Sequence, residues 1–362
     1  MKVLLVIESL GSGGAERQLV GLAKALAERG CFVNVLVYDD RNFYKSILDD
    51  AKIDCEVYSK ALNRYLRWFY LGRRASQYSP DVIISYLPGP NVALSMAKIL
   101  GILKCKLVVS ERNFTWNWTF KNKLFFSLYR KANAIVANSK AEADNISSAF
   151  PYYKNKVCYI RNFVDFNKFK PVYTEANKTF RILTIARIRE YKNVHGLISA
   201  AKILKDEGYK FEIDWFGHDY NDEYSYNIKQ MIKQFNLSDI FKIYPPTENV
   251  ESLYPKYDLF CLPSFKEGYP NVVVEAMSCQ IPVVCSNICE NPNIVEDGIN
   301  GFLFNPHDSL DIVDKLKKMI LLSNEVRKKM GISSREKVIR NNSIDFFVDN
   351  YIALINKVIC VK

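Results

Sequence analysis

Histidine is what this sequence has least of: three residues in 362, at His195, His218 and His307, too scattered to ligate one metal ion. No Asp-x-Asp triplet occurs either, so no metal site is expected and the chemistry is expected to be metal-independent. The nine cysteines form no Cys-x-x-Cys pair, and their odd number fits no complete disulfide framework. Free thiols in a reducing cytoplasm are the simplest account. No apolar run reaches the ~18 residues a membrane span requires. Residues 1–8 are a short apolar run closed by Glu8, which reads as a buried first strand rather than a signal peptide. Internal repeats, low-complexity tracts, a nucleic-acid recognition signature and a Ser/His/Asp or Cys/His nucleophile constellation are also absent.

Acidic residues are scarce in only one part of the chain. Residues 1–170 carry 26 Lys+Arg against 14 Asp+Glu, whereas the remainder carries 24 against 25, so the net charge of +11 originates in the first half. Two segments concentrate it. Arg64, Arg67, Arg73 and Arg74 lie in an acid-free stretch with Tyr65, Trp68, Phe69 and Tyr70; Lys121 and Lys123 lie in a second with Trp116, Trp118, Phe120 and Phe125. Basic and aromatic side chains so interleaved suit an anionic membrane surface, the aromatics at the interface and the cations on lipid phosphates. Two other readings stay open: helices whose apolar faces are core and whose solvated faces are basic, or a stacking platform for single-stranded nucleic acid. No nucleic-acid partner is expected.

At 362 residues, 49% of them hydrophobic, the chain exceeds what one core usually supports, and two domains are expected. Strand-like runs at 3–7, 33–38, 82–85, 107–110 and 134–137 alternate with helical spacing, as in Leu19, Leu22, Ala23 and Leu26 before Gly30. A crossover near 164–179, interrupted by Pro171, precedes a new series at 181–186, 211–216, 240–244, 259–262, 283–285 and 301–304. Alternation of this kind predicts parallel sheets covered on both faces.

Two features carry chemistry. Glu267 and Glu275, with seven residues between them, stand astride Gly268-Tyr269-Pro270-Asn271-Val272, a turn that runs into a helix start. Free amides there suit a diphosphate, and Glu275 could accept from both hydroxyls of a ribose. Upstream, Arg187 follows the 181–186 strand and Lys192 comes shortly after, so a guanidinium fork and a lysine point charge can stabilise a diphosphate leaving group. The bland readings are a surface glutamate pair and loop-flanking charges. The glycine-rich Gly11-Ser12-Gly13-Gly14 turn after the first strand lets backbone approach a phosphate, but its spacing is not that of a dinucleotide fingerprint. Glu16, Arg17 and Gln18 open the helix behind it and are expected to face the cleft or the partner domain, the alternative being an acid favoured by the helix dipole with solvated neighbours.

These residues together resemble retaining glycosyltransferases of the large family four. The resemblance runs almost end to end through Gly11–Arg17, the Arg161-Asn162-Phe163-Val164-Asp165 stretch with Phe169 and Pro171, Arg187 with Lys192, and Glu267–Asn271 through Glu275. It implies the α/β GT-B architecture, two Rossmann-like domains facing across a cleft: residues 1–170 binding the acceptor, 171–340 the nucleotide sugar, and 341–362 a helix crossing back to the first domain. By the same resemblance Arg187 and Lys192 hold the donor diphosphate, Glu267 contacts the donor sugar and Glu275 the ribose, with Gly13, Gly14, Gly268, Tyr269, Pro270, Asn271 and Val272 around the donor.

The sequence departs from the family twice. Where many relatives carry a histidine near the donor sugar, it has Ser110-Glu111-Arg112-Asn113; Glu111, Arg112 and Asn113, with Glu16, are expected to contact sugar or acceptor, or else Glu111 and Arg112 form a buried structural contact. Glu290-Asn291-Pro292-Asn293 stands where relatives often have two glycines. The implied activity is transfer of a hexose or N-acetylhexosamine, without a cofactor, from a nucleotide sugar (UDP-sugar ahead of GDP-sugar) to a polyprenyl-diphosphate-linked glycan or surface polysaccharide precursor. The expected place is the cytoplasmic face of the membrane. A sugar-nucleotide epimerase, a noncatalytic sugar binder and a nucleic-acid binder are the alternatives.

Overall fold

The structure, a computed structural model, describes residues 1–172, 177–247 and 249–360; part of the expected crossover (173–176) and the last two residues of the expected C-terminal segment lie outside them. The chain forms two compact units, one of Met1–Phe163 with the chain from Ile344 onward, the other Val164–Ser343.

In the first unit seven strands, β1 (Lys2–Val6), β2 (Phe32–Val37), β3 (Asp54–Val57), β4 (Val82–Tyr86), β5 (Lys106–Glu111), β6 (Ala134–Ala137) and β7 (Val157–Tyr159), form a parallel sheet in the order β3-β2-β1-β4-β5-β6-β7. The apolar runs are continuous because both faces are covered. In β1, Val3 and Leu5 enter one core, under helices Gly14–Glu28 and Ile344–Cys360, while Leu4 and Val6 enter the other, under Arg67–Gln77 and Pro88–Ile99. Gly30, at φ 79°, ends the first of these helices in the left-handed conformation that glycine adopts without penalty. The last helix is fixed by Arg29, which donates to Asp345 (2.6 Å) and Asp349 (2.8 Å), and by a 2.8 Å hydroxyl pair between buried Tyr86 and Tyr351.

The second unit repeats the plan with β8 (Phe180–Ile185), β9 (Phe211–Phe216), β10 (Phe241–Tyr244), β11 (Leu259–Leu262), β12 (Val283–Ser286) and β13 (Gly301–Phe304), ordered β10-β9-β8-β11-β12-β13, again all parallel. Helices Val194–Asp206 and Ser309–Leu321 cover one face, Asn271–Ser278 and Asn324–Asn342 the other. The unit begins ahead of Pro171, since Val164 and Phe169 are buried in its core and Val164 N donates to Asn342 O. Strands β3 and β7 escape the sequence pattern. Both are edge strands, β3 with two acids among its four residues and β7 only three residues long with none of them fully buried.

Candidate active site

Each sheet reverses its winding once, between β1 and β4 and between β8 and β11. Loops leaving the carboxyl ends of such neighbouring strands line the crevice where open α/β sheets bind ligands. After β8 the backbone is pinned: Ala186 N donates to Phe216 O at 3.0 Å, Trp215 Nε1 donates to Ala186 O at 2.7 Å, and a Cβ on Gly217 would stand 1.8 Å from that oxygen. The next side chain, Arg187, is exposed and makes no hydrogen bond or ion pair among the described residues. Lys192 follows at the end of a short 3-10 turn, Glu190–Lys192.

The loop after β11 meets that turn. Lys192 Nζ lies 2.6 Å from Glu267 Oε1, with only 15% and 11% of the two side chains exposed, and buried Ser264 donates to the same oxygen at 2.6 Å. Asn193, which the sequence reading did not single out, joins the two loops. It is buried, left-handed at φ 55°, accepts from Gly196 N as the N-cap of Val194–Asp206, and donates to Pro263 O (3.1 Å) and Pro306 O (3.0 Å). Phe265 N also donates to Tyr191 O. Its ring stacks on His307 at 4.8 Å and tilts against His195, whose Nδ1 shares a 3.1 Å hydrogen bond with Tyr224 and whose pKa burial lowers.

Helix Asn271–Ser278 starts beyond this loop with Pro270 as its N-cap and no capping side chain; the amides expected to be free for a diphosphate are largely engaged, since Asn271 N donates to Tyr269 O and Val273 N to Pro270 O, both at 3.0 Å, and Val274 N to Pro270 O at 3.4 Å. Asn271, Val272 and Gly268 are half-buried, whereas Tyr269 is buried and accepts from Asn342 Nδ2. Glu275, one turn into the helix, is 3% exposed and accepts from Tyr254 at 3.0 Å. In the 290–293 stretch Glu290 and Asn291 are fully buried, and Asn291 donates to Ser286 O. A separate cavity of 280 Å³, lined by Asn177, Asp258, Gln280 and Arg327, opens at the amino ends of the strands and touches none of these groups.

In the first unit no glycine of the Gly11–Gly14 turn has a positive φ. Gly13 supplies space instead: a Cβ there would stand 2.2 Å from Glu16 Oε2, so the Glu16 carboxylate folds back over the start of helix Gly14–Glu28. Gly14 is exposed and Glu16 half-buried. Gln18 does not face a ligand; it is fully buried against the backbone of Phe163. Glu111 and Arg112 do not pair. Consecutive residues at a strand end point to opposite faces: Glu111 accepts from Tyr129 (2.6 Å) and Asn91 (3.0 Å), while Arg112 lies 4.6 Å over the Tyr86 ring and donates to Asn162. Burial pushes the Glu111 carboxyl up. Asn113 is exposed.

The basic aromatic segments divide. Arg67 donates to Ala61 O at 2.8 Å and covers the Tyr38 ring, Arg74 pairs with Glu56 at 2.8 Å, and half-buried Trp68 donates to Tyr65 O. Arg64, Arg73, Lys121 and Lys123 are exposed and make no ion pair among the described residues. Beside them Tyr65 is 80% and Phe120 84% exposed. Both segments lie over the same face of the first sheet, packed through Leu71, Ala75 and Phe126. No described helix is long and apolar enough to cross a membrane, and no described group of side chains could hold a metal ion.

Residues 12–168 match the family described as Glycosyltransferase Family 4, and residues 165–337 that described as Glycosyl transferases group 1. A Campylobacter jejuni protein named GalNAc-alpha-(1->4)-GalNAc-alpha-(1->3)-diNAcBac-PP-undecaprenol alpha-1,4-N-acetyl-D-galactosaminyltransferase is 26% identical over 375 residues, 99% of each chain. The same organism's N-acetylgalactosamine-N,N'-diacetylbacillosaminyl-diphospho-undecaprenol 4-alpha-N-acetylgalactosaminyltransferase is 28% identical over 79% of this chain and 80% of its own. Among solved structures, Anabaena HepE in complex with UDP matches with a TM-score of 0.85 at 21% identity, covering 99% of this chain and all of that one. A Rickettsia africae glycosyltransferase gives 0.85 at 18% identity over 99% of each.

Proposed function

The chain belongs to the glycosyltransferases, with a family 4 domain followed by a group 1 domain on the GT-B fold, and we propose that it transfers a hexose or N-acetylhexosamine from a nucleotide sugar, UDP-linked ahead of GDP-linked, to a polyprenyl-diphosphate-linked glycan. The observation that carries this reading is the meeting of Lys192 and Glu267 at 2.6 Å on loops from adjacent strands. A diphosphate bound there has the Arg187 guanidinium and the Lys192 ammonium to offset the charge it gains as the glycosidic bond breaks. Glu275 then takes the ribose hydroxyls and Glu267 a hydroxyl of the sugar.

In this reading the anomeric carbon–oxygen bond breaks toward the nucleoside diphosphate, and the acceptor hydroxyl attacks from the face the diphosphate leaves. Its proton passes to a diphosphate oxygen. Configuration is retained, no protein nucleophile takes part, and the two cations do the work of a divalent metal. Support for the acceptor comes from the two Campylobacter relatives, whose names specify undecaprenol-linked glycans. The exposed Tyr65 and Phe120 with Arg64, Arg73, Lys121 and Lys123 support a peripheral position on an anionic, cytoplasm-facing membrane surface.

The test is nucleotide release from UDP-, GDP- and ADP-sugars, with chelator present, with and without a bacterial polyprenyl-linked lipid extract. Release that needs one donor and the extract is the expected result. Release without lipid would identify a hydrolase or an epimerase instead.

A further inference from the structure

Two donors share one carboxylate oxygen in the second unit. Glu267 Oε1 accepts from Lys192 Nζ and from Ser264 Oγ, each at 2.6 Å. The two donors differ in freedom. Ser264 is fully buried two residues past the end of β11 and its hydroxyl has this one partner among the described residues, whereas Lys192 is an ammonium on a four-carbon stem that also lies 5.4 Å from the Tyr191 ring. A diphosphate carries more negative charge than one carboxylate and offers several acceptor oxygens, so it outcompetes Glu267 for a lysine within reach. Nothing comparable draws Ser264 away.

We propose that Glu267 is the resident counter-ion of Lys192, that a nucleoside diphosphate displaces it, and that Ser264 is the positioning residue that then holds the freed carboxylate toward the sugar. The inference rests on the reading of Lys192 as a diphosphate ligand. Its consequence is an ordered grip. While Lys192 occupies Glu267, an acceptor position needed for a sugar hydroxyl is filled; once the diphosphate takes the lysine, that position opens. Intact nucleotide sugars therefore bind, whereas a free sugar without the diphosphate does not. Departure of the product restores the ion pair, which makes Glu267 a competitor of the nucleotide for Lys192 and speeds release.

The experiment is calorimetric titration with UDP and with GDP of the wild type, Lys192→Ala, Glu267→Gln and Ser264→Ala, with initial transfer rates on the lipid extract for the same proteins and the Glu267→Gln/Ser264→Ala double variant. Removing the competing charge is expected to tighten nucleotide binding roughly three- to tenfold in Glu267→Gln while turnover falls, and Lys192→Ala should weaken binding roughly tenfold or more. Ser264→Ala should leave nucleotide affinity unchanged and lower kcat about tenfold, with no further loss when added to Glu267→Gln. Weaker or unchanged binding in Glu267→Gln beside weakened binding in Lys192→Ala overturns the displacement and leaves the diphosphate reading intact. Unchanged binding in Lys192→Ala, or no binding of either nucleotide to the wild type, removes both. An additive loss in the double variant overturns the role of Ser264.

Discussion

Gln18 and Phe163 are hydrogen-bonded in both directions: Gln18 Nε2 donates to Phe163 O at 2.9 Å, and Gln18 Oε1 accepts from Phe163 N at 3.0 Å. The side chain is fully buried, so it satisfies two backbone groups at the point where the chain leaves the first unit. One turn along the helix, Gly21 leaves room for the Phe163 ring, since a Cβ there would stand 2.1 Å from its Cζ. Gln18→Ala should therefore destabilise the first unit by about 2 kcal/mol, the cost of leaving buried polar groups unmade. Tryptophan fluorescence in a denaturant titration measures it, because Trp68, Trp116 and Trp118 lie in that unit and Trp215 in the other.

Donor recognition separates the roles of two residues. Glu275→Gln keeps the volume and the contact to Tyr254 but removes the charge that the proposed function assigns to a ribose diol, so on that reading the donor KM should rise about tenfold with a smaller change in kcat. Lys192→Ala should lower kcat by about a hundredfold or more, as loss of preorganised charge at a leaving group does, while circular dichroism stays that of the wild type. Full activity in both variants would place the donor elsewhere.

Asn193→Asp is nearly isosteric and keeps the cap on Gly196, yet it turns the donor to Pro263 O and Pro306 O into an acceptor. Two buried carbonyls then face a carboxylate, at a cost of roughly 2–4 kcal/mol. Because those bonds hold the Lys192 and Glu267 loops together, the thermal midpoint of the second unit and the transfer rate should fall together.

The Glu142 carboxyl is buried beneath the tryptophan-bearing loop and accepts from Thr115 N (2.9 Å), Thr115 Oγ1 (2.7 Å) and Asn145 Nδ2 (3.1 Å). Burial outweighs these bonds and pushes its pKa from 4.5 up to about 7. A raised carboxyl binds its proton more tightly folded than unfolded, so stability declines as pH rises through this window and levels off above it, a span of about 3 kcal/mol. Fluorescence-monitored denaturation of the first unit at pH 5 and pH 8 should show the decline. Glu142→Gln should flatten it and keep the stability seen at pH 5, since its carbonyl can accept from Thr115 N and Asn145 Nδ2 while its amide donates to the Thr115 hydroxyl, as the protonated carboxyl does.

Sedimentation with anionic vesicles tests the proposed membrane position. Charge reversal at Lys121 and Lys123 together with Phe120→Ser should abolish co-sedimentation, and raised salt should weaken it in the wild type. Substituting Arg67 or Arg74 should change stability more than vesicle binding, because their guanidinium groups are already engaged by Ala61 O and Glu56.

Central strands such as β1, β4, β6, β11 and β12 were legible because burial on both faces writes an apolar run, and the edge strands β10 and β13 because aromatic and aliphatic residues recur in them. The edge strands β3, with two acids among its four residues, and β7, only three residues long, leave no such mark. The loops bearing Arg187, Lys192 and Glu267 could be placed because each follows a strand and carries the residue types its chemistry needs. Three features could not be read. Arg74 meets Glu56 only once a strand and a helix have packed; Asn193 looks like any loop asparagine until its left-handed backbone is known; Gln18 finds its partner 145 residues away. The Glu111–Arg112 question turned on one residue of strand length: a strand ending at Ser110 leaves their directions open, whereas β5 ending at Glu111 sets them on opposite faces.

Because Met1–Phe163 and the helix from Ile344 belong to one unit, the other is an insertion whose ends are clasped by the hydrogen bond from Val164 N to Asn342 O. Tension applied between residues 1 and 360 runs through the first unit alone. That unit must rupture before any load reaches the sheet of the second. In a force-extension trace the two events should come in a fixed order, and the second should release the contour length of residues 164–343 in one step.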